Sequence, residues 1–248
     1  MRNAVTATAL VVAVLAPACS SGDSATPPPP SATVPATETT PAPTSTSTTS
    51  STTTTTIAAA PRPRPPAPLV DVQELEPAIV VALNKLTVDN VTGAPLPGYE
   101  ANRAFLQPAG AEALARVQRR LAGRNLGIKV FDAYRPVRAT QALVAWARAQ
   151  GRGDLVGPYI ASVSYHNSGQ AVDLTLVDRA TNRELDMGTA YETFTTAAHT
   201  ANATGVAAEN RAVLVEAMHA EGFENYVGEW WHFYYYVTGA TLIDEPIR

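Results

Sequence analysis

Two short stretches of the sequence hold residue types that could bind a metal ion. In SYHNSGQAVD, His166 stands seven residues before Asp173, with a Ser-Gly pair between them. In EWWHF, Glu229 stands three residues before His232. Two imidazoles and one carboxylate leave an open fourth position on a tetrahedral zinc ion, which is the arrangement of a catalytic zinc site. The spacing therefore predicts a site for one zinc ion, formed by His166, Asp173 and His232.

Glu229 would be the fourth functional group of this site. A carboxylate beside the metal can act as a general base, because it can accept a proton from a metal-bound water whose pKa is lowered to about 7. Side chains three positions apart in a straight strand face opposite sides, so we expect a bend or bulge at Glu229 and Trp230. Each stretch alone also allows a structural interpretation. His166 and Asp173 could form a simple hydrogen-bonded pair, and His232 could be a core residue of an aromatic strand.

The elements that must position these groups are predicted from the pattern of apolar residues. Three helices are predicted, each followed closely by a glycine: 110–122, 138–150 and 209–221. Three strands are predicted: one from Ile128 that ends before Pro136, AVDLTLV from Ala171, and WHFYYYV from Trp231. In the second strand, Asp173 lies on the face opposite Val172 and Leu174, so its carboxylate should point toward a cleft. Helices and strands do not alternate regularly, which favours an α+β domain with a mostly antiparallel sheet flanked by helices.

The folded part is expected to be shorter than the 248-residue chain. Thirteen of the twenty prolines precede residue 70, and Thr, Ser, Pro and Ala dominate residues 20–69. This composition buries too little apolar surface to offset the entropy of ordering, so it predicts a disordered tether. Residues 70–248 carry 15 Lys and Arg against 20 Asp and Glu, with no basic stripe. They predict one compact domain that does not bind nucleic acid.

Residues 1–19 have the pattern of an export signal. Arg2 precedes an apolar run over residues 4–18, which is too short to span a membrane. Cys19 is the only cysteine of the chain, and it follows that run directly. The segment resembles the lipobox of bacterial lipoproteins, although Ala16 stands where a Leu is usual; an ordinary signal-peptidase site or a free thiol is the alternative. We expect an exported domain, held at the outer face of the cell membrane by a lipid anchor on Cys19.

Five longer strings carry a resemblance to a known family. They are DNVTGAPLPGYEANR, FDAYRPVRA, SYHNSGQAVDLTL, MGTAYETF and GFENYVGEWWHF, in that order across about residues 86–236. Together they resemble the zinc D-Ala-D-Ala peptidases of the Hedgehog/DD-peptidase fold, and in particular the VanX-type D-alanyl-D-alanine dipeptidases. The resemblance implies that His166, Asp173 and His232 bind zinc and that Glu229 is the base. It also implies the same mostly antiparallel α+β fold.

The resemblance implies further roles around the metal. Arg135, at the end of the first predicted strand, would stabilise the tetrahedral oxyanion, a role that suits a permanently charged and rigid donor. Ser164 and Tyr99 would contact the dipeptide, and Glu192 would hold its ammonium group. Glu192 stands where the family usually has Asp, and KLTVDN, over residues 85–90, lacks aromatics that the family has at two positions. The substrate pocket is therefore expected to differ at these places.

The expected function is that of a zinc metallopeptidase that hydrolyses the dipeptide D-Ala-D-Ala to two D-alanines during cell-wall peptide turnover. One alternative is a D,D-carboxypeptidase or another peptidoglycan peptidase that acts on longer stem peptides with the same metal centre. Another is a non-catalytic zinc-binding module for wall recognition. Glu229 and Arg135 favour an enzyme, because a structural zinc site needs neither a base nor an oxyanion donor.

Overall fold

The computed structural model of the protein describes residues 63–248, which belong to one compact unit. The predicted export signal, Cys19 and most of the predicted tether lie outside the described residues. The last residues of that tether, 63–69, are described. Leu69 is buried there, and the carbonyl oxygen of Pro63 accepts a hydrogen bond from Arg103 (2.6 Å).

Within residues 63–248 the chain forms four α-helices and seven β-strands. The helices are α1 (Val72–Leu75), α2 (Pro108–Ala122), α3 (Val137–Ala149) and α4 (Gly205–His219). The strands are β1 (Val70–Asp71), β2 (Val80–Val81), β3 (Phe105–Leu106), β4 (Leu126–Asp132), β5 (Ala171–Asp178), β6 (Glu224–Asn225) and β7 (His232–Tyr234). The three predicted helices are present as α2, α3 and α4, with ends shifted by at most four residues. None of the helices described here has both the length and the hydrophobicity that crossing a bilayer requires.

Helix α2 shows how the apolar pattern directs packing. Leu114, Val117 and Leu121 lie on one face and are at most 1% exposed. Burying each of these side chains stabilises the fold by about 1.5–3 kcal/mol. Arg119 and Arg120 lie on the opposite face and form exposed ion pairs. The buried face packs against α4 and β4, so α2 covers one side of the central sheet.

The central sheet has five strands in the order β2-β4-β5-β7-β6. Strand β2 pairs with β4 in parallel, and the other three pairings are antiparallel. The predicted α+β fold with a mostly antiparallel sheet is therefore confirmed. Strands β1 and β3 form a separate antiparallel pair. On β5, Val172 and Leu174 on one face and Asp173 and Thr175 on the other are all at most 3% exposed, so both faces of this strand are covered.

The register of the sheet places polar side chains next to one another. Asp132 on β4 lies opposite Asp173 on β5, and Asp173 lies opposite His232 on β7. Residues directly opposite in neighbouring strands share a face of the sheet. Three residues far apart in the sequence therefore form a row on one face.

The last predicted strand is much shorter than WHFYYYV suggested. Strand β7 begins at His232, and Trp231 belongs to the preceding turn. The amide of Tyr235 still donates to the backbone carbonyl of Gln170 in register, but the amide of Val237 donates to the side-chain oxygen of Gln170, and the regular ladder ends after Tyr234. The aromatic composition predicted the strand but not its short length.

Candidate active site

A short 3-10 helix, Tyr165–Ser168, positions His166 immediately before β5. Ser164 caps this helix, since its hydroxyl accepts a hydrogen bond from the amide of His166 (3.2 Å). Gly169 ends it in the left-handed conformation, with φ of 68°. A Cβ atom at position 169 would lie 2.5 Å from Cδ2 of Leu69, so the left-handed backbone favours glycine and any larger residue would displace the Leu69 side chain. The chain thereby turns sharply and returns His166 to the start of β5.

The three predicted metal ligands converge on one point. Nε2 of His166 lies 3.3 Å from Nδ1 of His232 and 3.3 Å from Oδ1 of Asp173. Nδ1 of His232 lies 2.9 Å from the same oxygen. A tetrahedral ion with bonds of about 2.0–2.1 Å holds its ligand atoms roughly 3.3–3.4 Å apart. Two of the three distances match this spacing and the third, 2.9 Å, is shorter, so these three residues form a group that could hold a metal ion.

The protonation states of this group also suit a metal. Nδ1 of His166 donates to the carbonyl oxygen of Ala133 (2.6 Å), which directs Nε2 toward the centre of the group. Burial lowers the pKa of His232 and favours its neutral form. Burial alone would raise the pKa of Asp173, but the two histidines hold it well below its ordinary value. A zinc ion would be held by both imidazoles in their neutral form together with the ionised carboxylate of Asp173.

Glu229 lies in the turn before β7. The His232 amide donates to the Glu229 carbonyl oxygen (3.2 Å), which closes this turn and produces the bend expected from the three-residue spacing. Oε2 of Glu229 consequently lies 3.9 Å from Nδ1 of His232. Burial, and then the negative charge of Asp173, raises the pKa of Glu229 well above its ordinary value. Glu229 is therefore a carboxylate with increased proton affinity beside the ligand group.

Arg135 follows β4 and reaches the same centre. Its Nε and Nη2 atoms donate to Oδ2 of Asp132 at 2.8 and 2.6 Å. Nη2 also lies 3.8 Å from Oδ2 of Asp173, and the backbone amide of Arg135 donates to the carbonyl of His166. The guanidinium is thus fixed in direction by Asp132 while its edge faces the metal ligands.

Asp132 was not predicted as a site residue, although it is completely buried at the centre of these contacts. Besides Arg135, it accepts a hydrogen bond from the hydroxyl of Tyr99 through Oδ1 (2.6 Å). Burial and then the charge of Asp132 raise the pKa of Tyr99 well above its ordinary value, so this phenol stays a donor. The only signal in the sequence was the presence of Asp132 in the same FDAYRP string as Arg135.

The site opens into a cavity of about 250 Å³. Arg135, Glu229 and the three predicted ligands line it together with Ser164, while Tyr159, Phe194 and Trp231 form an aromatic wall. Tyr99, which the resemblance suggested as a substrate contact, is not among the lining residues and is 5% exposed. Its hydroxyl reaches the site only through Asp132.

Glu192 lines the cavity as well, but its carboxylate already has partners in the protein. One oxygen forms an ion pair with Nζ of Lys85, and the other accepts a hydrogen bond from the amide of Val91 (2.7 Å). The neighbouring Tyr191 donates its hydroxyl proton to Oδ2 of Asp173 (2.9 Å). Neither Lys85 nor Tyr191 was predicted as a site residue. Nothing in the local sequence indicates that Tyr191 contacts Asp173, or that Lys85 contacts Glu192.

Comparison with known proteins identifies the family of the chain. The model of the Peptidase_M15 family, described as D-ala-D-ala dipeptidase, matches residues 66–246. A D-alanyl-D-alanine dipeptidase of Enterococcus faecalis is 35% identical over 176 residues, which cover 64% of this chain and 84% of the relative. A D-alanyl-D-alanine dipeptidase of Streptomyces coelicolor is 32% identical over 191 residues, or 71% of this chain and 91% of the relative.

Among solved structures, a vancomycin-resistance D,D-pentapeptidase VanY in complex with Zn(II) is 18% identical. The similarity covers 55% of this chain and 76% of that one, with a TM-score of 0.36. This similarity is too low to add to the family match.

Proposed function

Because the chain belongs to the Peptidase_M15 family, described as D-ala-D-ala dipeptidase, we propose that it is a zinc metallopeptidase that hydrolyses D-Ala-D-Ala to two D-alanines in cell-wall peptide turnover. The resemblance seen in the five sequence strings is confirmed by this match. The observation that carries the proposal is the convergence of two imidazoles and a carboxylate within 3.3 Å, beside a buried glutamate and an arginine.

His166, Asp173 and His232 would hold the zinc ion. When bound, zinc supplies a Lewis acid for the peptide carbonyl and lowers the pKa of a coordinated water. The donor spacing and the neutral state of His232 support this assignment. Tyr191 would orient Asp173 through the hydrogen bond to Oδ2, as partners behind a ligand commonly do.

Glu229 would move the protons. Its Oε2 accepts a proton from the attacking water, whose oxygen forms the new bond to the carbonyl carbon of the peptide. As the C–N bond breaks, Oε2 of Glu229 returns that proton to the leaving amine nitrogen. The raised pKa of Glu229 supports this role, because the group must hold the proton between the two transfers.

Arg135 would stabilise the negative charge that develops on the carbonyl oxygen. Its Nη2 atom faces the ligand group, and two hydrogen bonds to Oδ2 of Asp132 hold the guanidinium before substrate binds. Preorganised donors of this kind typically contribute 10²–10³-fold to the rate. Ser164, at the cavity wall, would contact the peptide.

The test is D-alanine release from D-Ala-D-Ala by the full chain. We expect release to stop when a chelator removes the metal and to resume when zinc is added. Glu229→Gln should lower kcat by at least a hundredfold, whereas Glu184→Gln, a matched change at a glutamate paired with Lys129 outside the cavity, should not. An active Glu229→Gln enzyme would contradict the assigned base, and no release by the zinc-loaded wild type would contradict the function.

We also propose that the chain is exported and attached to the membrane through Cys19. The apolar run that ends at this single cysteine supports the proposal. Cys19→Ser should transfer the protein from the membrane fraction to the soluble extracellular fraction. Retention of the Cys19→Ser protein in the membrane fraction would contradict the lipid anchor.

A further inference from the structure

A buried ion pair lies behind one wall of the cavity. Lys85 is 1% exposed, and its Nζ atom contacts Oε1 of Glu192, whose side chain is 8% exposed. The same Nζ lies 3.4 Å from the hydroxyl of Tyr191 and 5.1 Å from the centre of its ring. The amide of Val91 engages the second carboxylate oxygen of Glu192. The wall that contains Glu192 therefore presents a carboxylate whose charge is already compensated from behind.

This compensation matters because a free dipeptide carries a positive ammonium group. Binding that group in a cavity requires an opposite charge to replace its hydration. In the described part of the chain, the carboxylates that line the cavity are Asp173, Glu192 and Glu229. Asp173 belongs to the metal ligand group and Glu229 is the proposed base, so Glu192 is the remaining candidate. Lys85 offsets its charge, and an ammonium beside it would also be repelled by the lysine.

The opening of the cavity suits a longer substrate. Val163, Tyr165 and Tyr226 line it and are 68%, 45% and 38% exposed. Together they offer apolar surface beyond the ligand group, where the acyl part of a peptide could lie. Binding to this apolar surface does not require the substrate to carry a charged amino group.

We propose that Lys85 is a specificity-determining residue, and that by neutralising Glu192 it lets the enzyme hydrolyse D-alanyl-D-alanine whose amino group is acylated, as in a longer peptide, as well as the free dipeptide. The inference rests on the proposed function and names its substrate class more closely. Lys85 does not take part in the chemical step. It sets the charge of the wall against which the amino end of the substrate lies.

The experiment compares kcat/KM for D-Ala-D-Ala and N-acetyl-D-Ala-D-Ala on the zinc-loaded full chain. A site that depends on binding a polar substrate group rejects an analogue without it by about 10⁴–10⁵-fold. We expect the wild-type ratio of free to acetylated substrate to stay below a hundredfold. A ratio above a hundredfold, with the dipeptide still hydrolysed, would overturn the inference and leave the proposed function intact. No hydrolysis of either substrate would overturn both.

The Lys85→Met variant provides the second measurement. Freed of the lysine, Glu192 should attract the substrate ammonium, so the ratio should shift at least tenfold toward the free dipeptide. Lys129→Met, a matched control at a lysine paired with Glu184 outside the cavity, should leave both kcat/KM values unchanged. Tyr191→Phe removes the hydrogen bond to Asp173 but keeps the charge of Lys85. It should therefore lower kcat/KM equally for both substrates and leave their ratio unchanged. An unchanged ratio in folded Lys85→Met would overturn the inference; if that variant does not fold, the wild-type ratio decides.

Discussion

Replacing Asp132 by Asn should weaken catalysis although Asp132 does not line the cavity. Asn keeps the size of the side chain but removes the negative charge that Arg135 contacts through two hydrogen bonds of 2.6 and 2.8 Å. A charge-assisted hydrogen bond is about twice as strong as a neutral one. Asp132→Asn therefore leaves the guanidinium of Arg135 less firmly oriented. Arg135 is only 9% exposed, so little water is available to replace the lost contact.

The size of the effect can be bounded from these contacts. Loss of a complete oxyanion donor costs about 10²–10³ in kcat, or about 2.7–4 kcal/mol. Asp132→Asn retains Arg135, so only part of this transition-state stabilisation should be lost. We expect kcat to fall roughly 10–100-fold with little change in KM. Stability should fall as well, by about 2–3 kcal/mol, because charge-assisted hydrogen bonds contribute about 1.5–3 kcal/mol each and Asn keeps weaker versions of them. That is a large part of the 5–15 kcal/mol of a typical domain, so activity must be measured well below the melting temperature.

The assay is a double-mutant cycle on D-Ala-D-Ala hydrolysis. Steady-state kcat and KM are measured for wild type, Asp132→Asn, Arg135→Ala and the double variant, each with its thermal unfolding curve. If Asp132 acts by positioning Arg135, the double variant should be no slower than Arg135→Ala alone. Additive losses in kcat would refute the positioning role. A wild-type kcat in folded Asp132→Asn would refute the need for a fixed guanidinium.

Three further predictions concern the support of the site. Gly169→Ala should lower the melting temperature more than Gly151→Ala, since both have φ of +68° but only position 169 brings a Cβ within 2.5 Å of Leu69, whereas position 151 has no atom within 4 Å; equal losses would contradict the steric argument. Tyr191→Phe should weaken zinc affinity by roughly 10–100-fold in a competition with a chromophoric chelator, because it removes the hydrogen bond that orients Asp173; unchanged affinity would rule out that role. Saturating the metal-free chain with zinc at 100 times its Kd should stabilise the fold by about 2.7 kcal/mol and raise the melting temperature, and an unshifted unfolding curve would argue against a resident metal ion.

Much of the site chemistry could be predicted without the structure. The residue types that bind zinc and act as bases are few, and the spacings of His166, Asp173, Glu229 and His232 limit what they can do. The bend at Glu229 was expected because a period of two cannot place side chains three apart on one face. Helix α2 could be predicted for a similar reason, since its apolar positions repeat with the helical period.

Contacts between distant parts of the chain decided the rest. The pairing of β4 with β5 sets Asp132 beside Asp173, and the position of Tyr99 against Asp132 keeps it from the cavity. Lys85 and Glu192 are 107 positions apart, and nothing in the sequence indicates that Lys85 pairs with the carboxylate that the resemblance assigned to the substrate. Local sequence carries periodicity and chemical type, whereas burial and pairing depend on how the whole chain packs. That is why the sequence predicted the metal ligands but not the position of Lys85 beside Glu192.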